Sequence, residues 1–307
     1  MKTRGTKNVA ASVRQRLLNK ARESGRPFGE VLQYFAMERF LYRLCKSEHA
    51  DRFILKGALM LAVWDAPIFR PTKDIDLLGR ADNNVDAIAA FAKDICLMRV
   101  TPDDGVTFDA SSVHAERIAE AAEYEGVRVH FVGTLDRARI HMQLDIGFGD
   151  AVLPRPLQIN YPTILDFPAP RLRGYPRESA IAEKFEAMVK LGELNSRMKD
   201  FFDIWLLSRS FDFDGAQLRK AILKTFETRG TPLPEDVPVA LTEGFGYEAR
   251  ALAQWRAFVG RTKLRGVPEF PDLIAALRAF LLPLLAPRIA GEKGRMNWAA
   301  GGTNWSE

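Results

Sequence analysis

The chain has 307 residues, 47% hydrophobic and 27% charged, so it can bury the core of one large domain or two, and its composition excludes a disordered or fibrous protein. Its two cysteines, Cys45 and Cys96, are too few for a disulfide framework and lack the spacing of a zinc or iron–sulfur site. A formal charge of +5 is compatible with nucleotide or nucleic-acid partners, and the absence of a secretion signal or long apolar run predicts a cytoplasmic protein outside the membrane.

The first half of the chain mixes helix and strand patterns. Apolar residues at helical spacing predict two helices on either side of the break at Gly25–Pro27, and "FILKGALMLAVW" predicts a strand or loop followed by a helix. The stretch "DIDLLG" is predicted to be a strand because β-branched Ile75 and two leucines surround its acids. An amphipathic helix, "DAIAAFAKDICLM", then precedes three candidate strands. These are "VTFDASSVHAERI", "VRVHFVGTL" and "RIHMQLDIGFGD".

The second half begins with a proline-rich segment, residues 153–176, which predicts an extended connector. Five helical patterns follow it, and the last seventeen residues are mainly glycine-rich and polar. This order favours an α+β fold over regular βαβ alternation. We expect residues 1–165 to form a mixed sheet with flanking helices, residues 166–290 a helical domain that completes the cleft, and residues 291–307 a flexible or loosely docked tail.

Two acids inside the apolar strand pattern are the first candidate site. Asp74 and Asp76 lie two residues apart, so on a strand they project side by side and their repulsion calls for a cation. Asp145 lies on another predicted strand and would join them if the two strands are neighbours. Three carboxylates suit Mg²⁺ or Mn²⁺, which prefer oxygen ligands. The alternative is a solvated strand face without a metal.

The helical half carries a second set of charged residues. Lys184 lies at the border of an apolar stripe, and the next helix carries Arg197, Lys199, Asp200 and Asp203. Asp200 and Asp203 are three residues apart and therefore share a helix face. These residues form a second charged candidate set, and the alternative is an ordinary amphipathic helix pair with surface ion pairs.

Four blocks of the sequence carry a resemblance to a known family. They are "LKGALML" with "TKDIDLL", then "LDIGFGD", then "IAEKFEAMVKLG", and "NSRMKDFFDIWLL", spread over about residues 53–207. In this order they resemble the AbiEii/AbiGii-type nucleotidyltransferase toxins, a branch of the DNA polymerase β-like nucleotidyltransferase superfamily. The resemblance implies the polymerase β-like mixed sheet with flanking helices, followed by a C-terminal helical domain.

The resemblance also implies roles for individual residues. Asp74 and Asp76 would be the metal-binding pair, Asp145 the third acid, and Lys184 and Asp200 the remaining members of the catalytic set. Ala58 stands where the family often has glycine, serine or threonine, so a hydroxyl contact to phosphate is missing. The expected nucleotide-binding residues are Lys56, Gly57, Lys73, Lys184, Arg197 and Lys199.

The implied activity is transfer of a nucleoside monophosphate from a nucleoside triphosphate (NTP) to an RNA acceptor, with the 3′ end of tRNA the first candidate. The protein would act as the toxin of a type IV toxin–antitoxin or phage-resistance module, with a possible cognate antitoxin. Two alternatives stay open. The same site could modify a protein or a small molecule, or the protein could bind nucleotide or antitoxin without turnover.

Other polar residues have weaker signals. The four histidines, at positions 49, 114, 130 and 141, show no common ligand spacing, and we expect structural or surface roles for them. Arg70 beside the acid pair could meet phosphate or balance local charge. Basic residues in "PAPRLRGYPR", at positions 171, 173 and 177, could follow an RNA backbone or form an exposed basic linker.

Overall fold

A computed structural model of the chain describes residues 8–67, 71–80, 83–120, 124–285 and 296–307. The chain divides into two compact units. Unit 1 comprises Met1–Trp64, Pro71–Gly149 and Leu157–Gly174, and unit 2 comprises Asp65–Arg70, Asp150–Pro156 and Tyr175–Glu307. Across the described residues, no helix has both the length and the apolar composition needed to span a membrane.

Unit 1 contains four helices and seven strands among its described residues. The helices are α1 Val9–Ser24, α2 Phe28–Lys46, α3 Leu59–Val63 and α4 Val85–Leu97. The strands are β1 Phe53–Lys56, β2 Asp74–Gly79, β3 Val106–Glu120, β4 Tyr124–Leu135, β5 Ala138–Phe148, β6 Leu157–Asn160 and β7 Arg171–Gly174. The break predicted between the first two helices is present, because Gly25 ends α1 in the left-handed conformation at φ 67°.

The seven strands form one mixed sheet in the order β3-β4-β5-β2-β1-β7-β6. β2 runs parallel to β5, and β1 runs parallel to β7, while the other neighbours are antiparallel. One face of the central strands is apolar, with Ile75, Val129 and Leu144 all fully buried. Helix α2 belongs to the same core through Phe35 and Phe40. The predicted mixed α+β fold is confirmed.

The proline-rich segment differs from the prediction, because it contains two strands that join the sheet. β6 pairs with β7, and β7 pairs with β1. The prolines lie outside the paired segments: Pro156 directly precedes β6, and Pro170 directly precedes β7. Proline is tolerated next to short strands near a sheet edge, where it removes no ladder hydrogen bond. A sequence pattern of scattered prolines therefore concealed two strands of four residues each.

Unit 2 is helical, as predicted. Its helices are α5 Arg177–Leu191, α6 Met198–Ser210, α7 Gly215–Thr228, α8 Glu243–Tyr247, α9 Ala249–Thr262 and α10 Phe270–Leu281. A short antiparallel pair joins β8 Phe213–Asp214 to β9 Asn297–Trp298 near the C-terminus. The Trp298 indole is buried and donates to the Ser208 carbonyl oxygen at 2.7 Å, and Trp305 donates to the Phe280 carbonyl oxygen at 2.9 Å. These bonds hold the last described segment against α6 and α10.

Candidate active site

Three carboxylates meet on one face of the sheet in unit 1. In the parallel pairing of β2 with β5, Asp76 lies opposite Asp145, and Asp74 lies opposite Gln143. One carboxylate oxygen from each of the three acids lies within 4.8 Å of the others. Directly opposed residues of neighbouring strands project to the same face, so this grouping follows from the strand register. The structure thus brings together the three acids that strand alternation had placed on polar faces.

Gly57 lies against Asp76 at the end of β1. β1 pairs with β2 so that Lys56 is opposite Asp76, and the next residue, Gly57, has a φ of 70°. A Cβ atom at position 57 would lie 1.9 Å from the Asp76 Oδ2 atom. Both the positive φ and this close approach require glycine here. The glycine therefore allows the Asp76 carboxylate to lie directly against the backbone, where any side chain at position 57 would collide with it.

Arg128 is a site residue that the sequence prediction missed. It lies opposite Asp145 on β4 and donates from Nε to Oδ1 and from Nη2 to Oδ2, both at 2.8 Å. Gln143 adds bonds of 3.1 Å from its amide nitrogen to both oxygens of the same carboxylate. The hydrogen bonds that Arg128 donates to Asp145 raise the pKa of Arg128 above its ordinary value, against a smaller opposing effect of burial. Asp145, only 7% exposed, is therefore fixed in orientation.

Strand alternation in "VRVHFVGTL" indicated that Arg128 is on a polar face. The alternation does not say which strand is the neighbour of β4. Arg128 and Asp145 are 17 residues apart, and only the antiparallel register of β4 with β5 brings them face to face. The residue was missed for this reason.

The segment before β2 orients the first acid. Thr72 is 9% exposed, donates its hydroxyl to the Asp74 Oδ1 atom, and donates its backbone N–H to the Tyr34 hydroxyl at 3.1 Å. Lys73 is exposed next to the acids, and its carbonyl oxygen accepts from the Gln33 amide at 3.3 Å. Arg70 lies outside the described residues. Asp74 is thus held by a bond from its own strand end.

The three acids fit a divalent cation on the chemistry of the donor set. All the converging atoms are carboxylate oxygens, the ligands that Mg²⁺ and Mn²⁺ prefer over nitrogen or sulfur. A carboxylate has about four lone-pair positions, and Arg128 uses two of those on Asp145, so a metal bound by Asp145 would replace one of the two longer bonds from the Gln143 amide. Three like charges this close also repel one another unless a cation lies among them. The three acids therefore suit a site for a divalent cation.

Residues 39–277, more than half of the chain, match the sequence profile of the family described as "Nucleotidyl transferase AbiEii toxin, Type IV TA system". The chain belongs to the AbiEii nucleotidyltransferase toxin family. It is accordingly a nucleotidyltransferase, and the predicted family is confirmed. The family is one of type IV toxin–antitoxin systems, which pair such a toxin with an antitoxin.

Two solved structures resemble this AbiEii-family chain. JHP933 from Helicobacter pylori matches with a TM-score of 0.46 and 13% identity over 81% of this chain and 88% of its own. A candidate nucleotidyltransferase from H. pylori matches with a TM-score of 0.48 and 12% identity over 86% of this chain and 98% of its own. At these scores the family assignment depends on the sequence profile and not on the two structures. No protein of curated function matches this chain significantly in sequence.

The helical unit of this AbiEii-family chain carries the second predicted set in one ion-pair network. The Lys184 ammonium on α5 lies 2.8 Å from Asp200 Oδ1 and 2.8 Å from Asp203 Oδ2 on α6. Arg197 Nε lies 2.8 Å from Asp200 Oδ2, and Lys199 is exposed. The structure thus brings Lys184, Arg197 and Asp200 together. Asp203 completes the network.

Asp200 is only 1% exposed, and its charge depends on these neighbours. Burial by itself raises the pKa of Asp200, but Lys184 and Arg197 outweigh that effect and hold the pKa below its ordinary value. The carboxylate is therefore charged at neutral pH. Within unit 2 the network links α5 to α6.

The basic residues at positions 171, 173 and 177 are divided between the two units. Arg171 and Arg173 lie on β7, where Arg173 pairs weakly with Asp51 at 3.7 Å. Arg177 begins α5 and places its guanidinium 4.2 Å from the centre of the Phe211 ring. The three residues thus belong to different units and have different contacts, which does not favour a continuous basic linker.

Proposed function

We propose that this protein is a divalent-metal-dependent nucleotidyltransferase that transfers a nucleoside monophosphate from an NTP to an RNA acceptor, with the 3′ end of tRNA the first candidate. The acceptor hydroxyl oxygen bonds to the α-phosphorus, the bond from that phosphorus to the bridging oxygen breaks, and pyrophosphate leaves. NTPs and tRNA are cytoplasmic, so the reaction takes place there. Modification of the tRNA 3′ end blocks aminoacylation, and this loss of usable tRNA explains how the activity would stop growth.

The convergence of three carboxylates is the observation that carries this proposal. Asp74 and Asp76 on β2 and Asp145 on β5 offer oxygen atoms within 4.8 Å of one another. In this proposal all three hold Mg²⁺ or Mn²⁺. A bound ion of this kind favours deprotonation of the attacking hydroxyl and neutralises charge on the leaving pyrophosphate. Such transfer depends on positioning and charge neutralisation more than on covalent chemistry.

Residues of this chain then position the reactants. Arg128 and Gln143 hold the Asp145 carboxylate in one orientation, and Thr72 holds Asp74. Gly57 lets the Asp76 carboxylate lie against the backbone at the end of β1, and its turn is proposed to contact the nucleotide phosphates through backbone N–H groups. Lys56 lies next to Asp76 across the strand pair, and Lys73 is exposed before β2. Both are proposed to contact the triphosphate.

The helical unit supplies the remaining proposed contacts. Lys184 and Arg197 are partly exposed, with 17% and 34% of their side chains accessible, and Lys199 is exposed. We place these cations on the triphosphate and Asp200 in the catalytic set, where it keeps Lys184 and Arg197 in position. An ammonium group can bond to more than one acceptor, so binding to Asp200 does not prevent contact with phosphate.

The test is transfer of label from α-³²P NTPs in the presence of Mg²⁺ and total tRNA. We expect labelled RNA with wild-type protein and none after chelation or with Asp74→Asn. Asp86→Asn is the matched control, because Asp86 is an exposed acid on α4 of the same unit. Label on RNA that is equally strong with wild type and Asp74→Asn would remove the acid site from the proposal.

The same experiment separates the other functions. Label in protein bands or small molecules selects a different acceptor for the same site. Pyrophosphate release from none of the NTPs, with binding of NTP intact, selects a module that binds nucleotide without turnover. An antitoxin partner follows from the family and is not needed for this assay.

A further inference from the structure

Three of the four histidines of the chain lie on the same face of the sheet as the three acids. In the register of the sheet, His114 on β3 is opposite His130 on β4, and His130 is opposite Gln143 on β5. Gln143 is in turn opposite Asp74 on β2. His141 is two residues before Gln143 on β5 and therefore projects to the same side. We call His114, His130 and His141 the imidazole face.

The imidazole face continues directly from the acid site. Neighbouring strands are about 4.8 Å apart, so the row from Asp74 to His114 crosses three intervals and is roughly 14 Å long. Sheet surfaces that bind single-stranded RNA stack two or three bases on aromatic side chains over a comparable span of strands. The dimensions therefore suit a short stretch of unpaired nucleotides that ends at the acids.

The three imidazoles are available for a ligand. His114, His130 and His141 are exposed, and no described residue forms a hydrogen bond, an ion pair or a ring contact with any of the three imidazole rings; the Gln33 amide donates only to the His141 backbone carbonyl oxygen. The reverse face of the same strands is firmly packed, since Val129 and Leu144 are fully buried. A rigid sheet that presents unpartnered flat rings is a preformed surface for stacking, because no side chain needs to leave a partner first.

The charges on this face favour bases over phosphates as the contacting groups. Arg128 is already bonded to Asp145 and lies opposite the exposed Glu116 on β3, and Arg139 interacts with the exposed Asp109, also on β3. A face without excess positive charge gains little from a phosphate backbone. Imidazole rings can stack on any unpaired base, whereas bases inside a duplex are already stacked on one another.

We infer that the imidazole face binds the unpaired bases at the 3′ end of the RNA acceptor and thereby directs its terminal hydroxyl toward the three acids. This inference deepens the proposed function and rests on it for the identity of the acceptor. It assigns the face to single-stranded RNA, and not to duplex RNA or to a protein partner.

Binding is measured first, on the full-length protein without NTP, so that it does not depend on catalysis. The probe is a fluorescein-labelled oligoribonucleotide with an unpaired 3′ end, compared with the same sequence as a blunt duplex by anisotropy. We expect His114→Ala/His130→Ala to raise the Kd for the single strand about tenfold, the effect of losing one stacked base. His114→Phe/His130→Phe retains flat rings and should restore most of the affinity.

The control pair is Thr107→Ala/Thr134→Ala. These two exposed threonines lie opposite each other on the same strands, β3 and β4, at the end away from the acids, and should not affect the Kd. Equal binding of single strand and duplex by the wild type, or an unchanged Kd in the alanine pair, would overturn the inference. If the phenylalanine pair loses binding of the single strand as fully as the alanine pair does, ring stacking is not the contact and the inference is overturned.

Kinetics separate this inference from the proposed function. With wild type active on RNA, the alanine pair should raise the KM for RNA and leave NTP affinity unchanged. RNA labelling with an unaltered KM removes the imidazole face and leaves the proposed function intact. Label on protein or small molecules alone removes both, because the acceptor is then not RNA.

Discussion

The chain carries two groups of acids beside bases, one on the sheet of unit 1 and one on the helices of unit 2, and they are built in opposite ways. On the sheet, Asp74, Asp76 and Asp145 face Lys56 and Arg128 on neighbouring strands, a formal charge of −1. Asp74 and Asp76 remain partly exposed. On the helices, Lys184 and Arg197 balance Asp200 and Asp203, and both of these acids are almost fully buried.

The difference shows how the same residue types can be arranged for binding alone on the sheet, whereas on the helices they also stabilise the fold that holds the proposed phosphate-binding cations in place. Carboxylates that are close together, accessible and in excess lower stability until a cation joins them, so they mark a site for a ligand. Carboxylates that are buried and neutralised hold two helices together, and removing one partner leaves an unpaired buried charge. The four predictions below test this distinction.

The largest expected effect comes from the same substitution made in both groups. Asp76→Asn should reduce transferase activity by about a thousandfold or more, because the proposed metal loses a charged ligand. Its melting temperature should stay the same or rise, since repulsion among the acids decreases. Asp200→Asn should instead lower the melting temperature. Activity and thermal unfolding of both variants are measured, and a less stable Asp76→Asn protein would contradict the distinction.

Removing the central cation of the helical group should have the next largest effect. Lys184→Met leaves Asp200 and Asp203 buried without their shared ammonium, which costs about 3 kcal/mol of unfolding free energy. Adding Asp200→Asn and Asp203→Asn to this variant should recover part of the loss, because no buried carboxylate then lacks a counter-charge, and Arg197, which loses its partner Asp200, is partly exposed to water. Urea unfolding of the single and triple variants checks this. If the triple variant is less stable than Lys184→Met, the network contributes net stability and the expected recovery is contradicted.

Arg128 allows a smaller effect to be tested within the sheet group. Arg128→Gln removes the paired hydrogen bonds that orient Asp145, so activity should fall about ten- to a hundredfold, as for other residues that support metal ligands. The apparent affinity for Mg²⁺ or Mn²⁺, measured by titration of activity with the metal, should fall together with the activity. Arg139→Gln, at an exposed arginine of the adjacent strand β5, serves as the control and should remain active.

The pH dependence of stability should be the smallest effect and should differ between the units. The depressed pKa of Asp200 means that its contribution is present above about pH 4 and is lost as pH falls below its usual value of 3.8. In unit 1, burial raises the pKa of Glu38 to about 7 despite its ion pair with Arg39. The contribution of Glu38 is thus complete below pH 4.5 and is lost as pH rises through about 7.

Hydrogen exchange detected by mass spectrometry can follow the two units separately. Unit 1 should lose protection between about pH 4.5 and 7, and Glu38→Gln should flatten this change, while Asp200→Asn should flatten the acid-side loss in unit 2. If protection depends on pH in the same way in the wild type and both variants, the assignment of these pH dependences to Glu38 and Asp200 is contradicted.

Much of the fold was predictable because local patterns agree with the tertiary structure. Helical spacing located α1, α2 and all the α-helices described in unit 2 except the five-residue α8, and strand-like runs of apolar and β-branched residues located β2 and the strands from β3 to β5. The strands β6 and β7 were missed, because four residues between prolines carry too short a pattern. β7 forms through pairing with β1, a contact between residues more than a hundred positions apart, and β6 in turn pairs with β7.

The sequence by itself determined which residue types could form a site. Alternation placed Asp74 and Asp76 on one face of a strand and Asp145 on the polar face of another. The change from a short apolar run to a helical pattern placed Gly57 before a helix. The order of the four blocks indicated the family. These properties are local, since side-chain direction along a strand follows from its period of two residues.

Only the tertiary structure decided which of these residues meet. Strand order and register are set by the burial of the opposite, apolar face, so a shift of one residue would have turned Asp145 away from Asp76. The same register placed Arg128 on Asp145 and aligned three histidines that are 11 to 27 positions apart in the sequence. Contacts between strands depend on packing across the whole sheet, and no pattern within one strand contains that information.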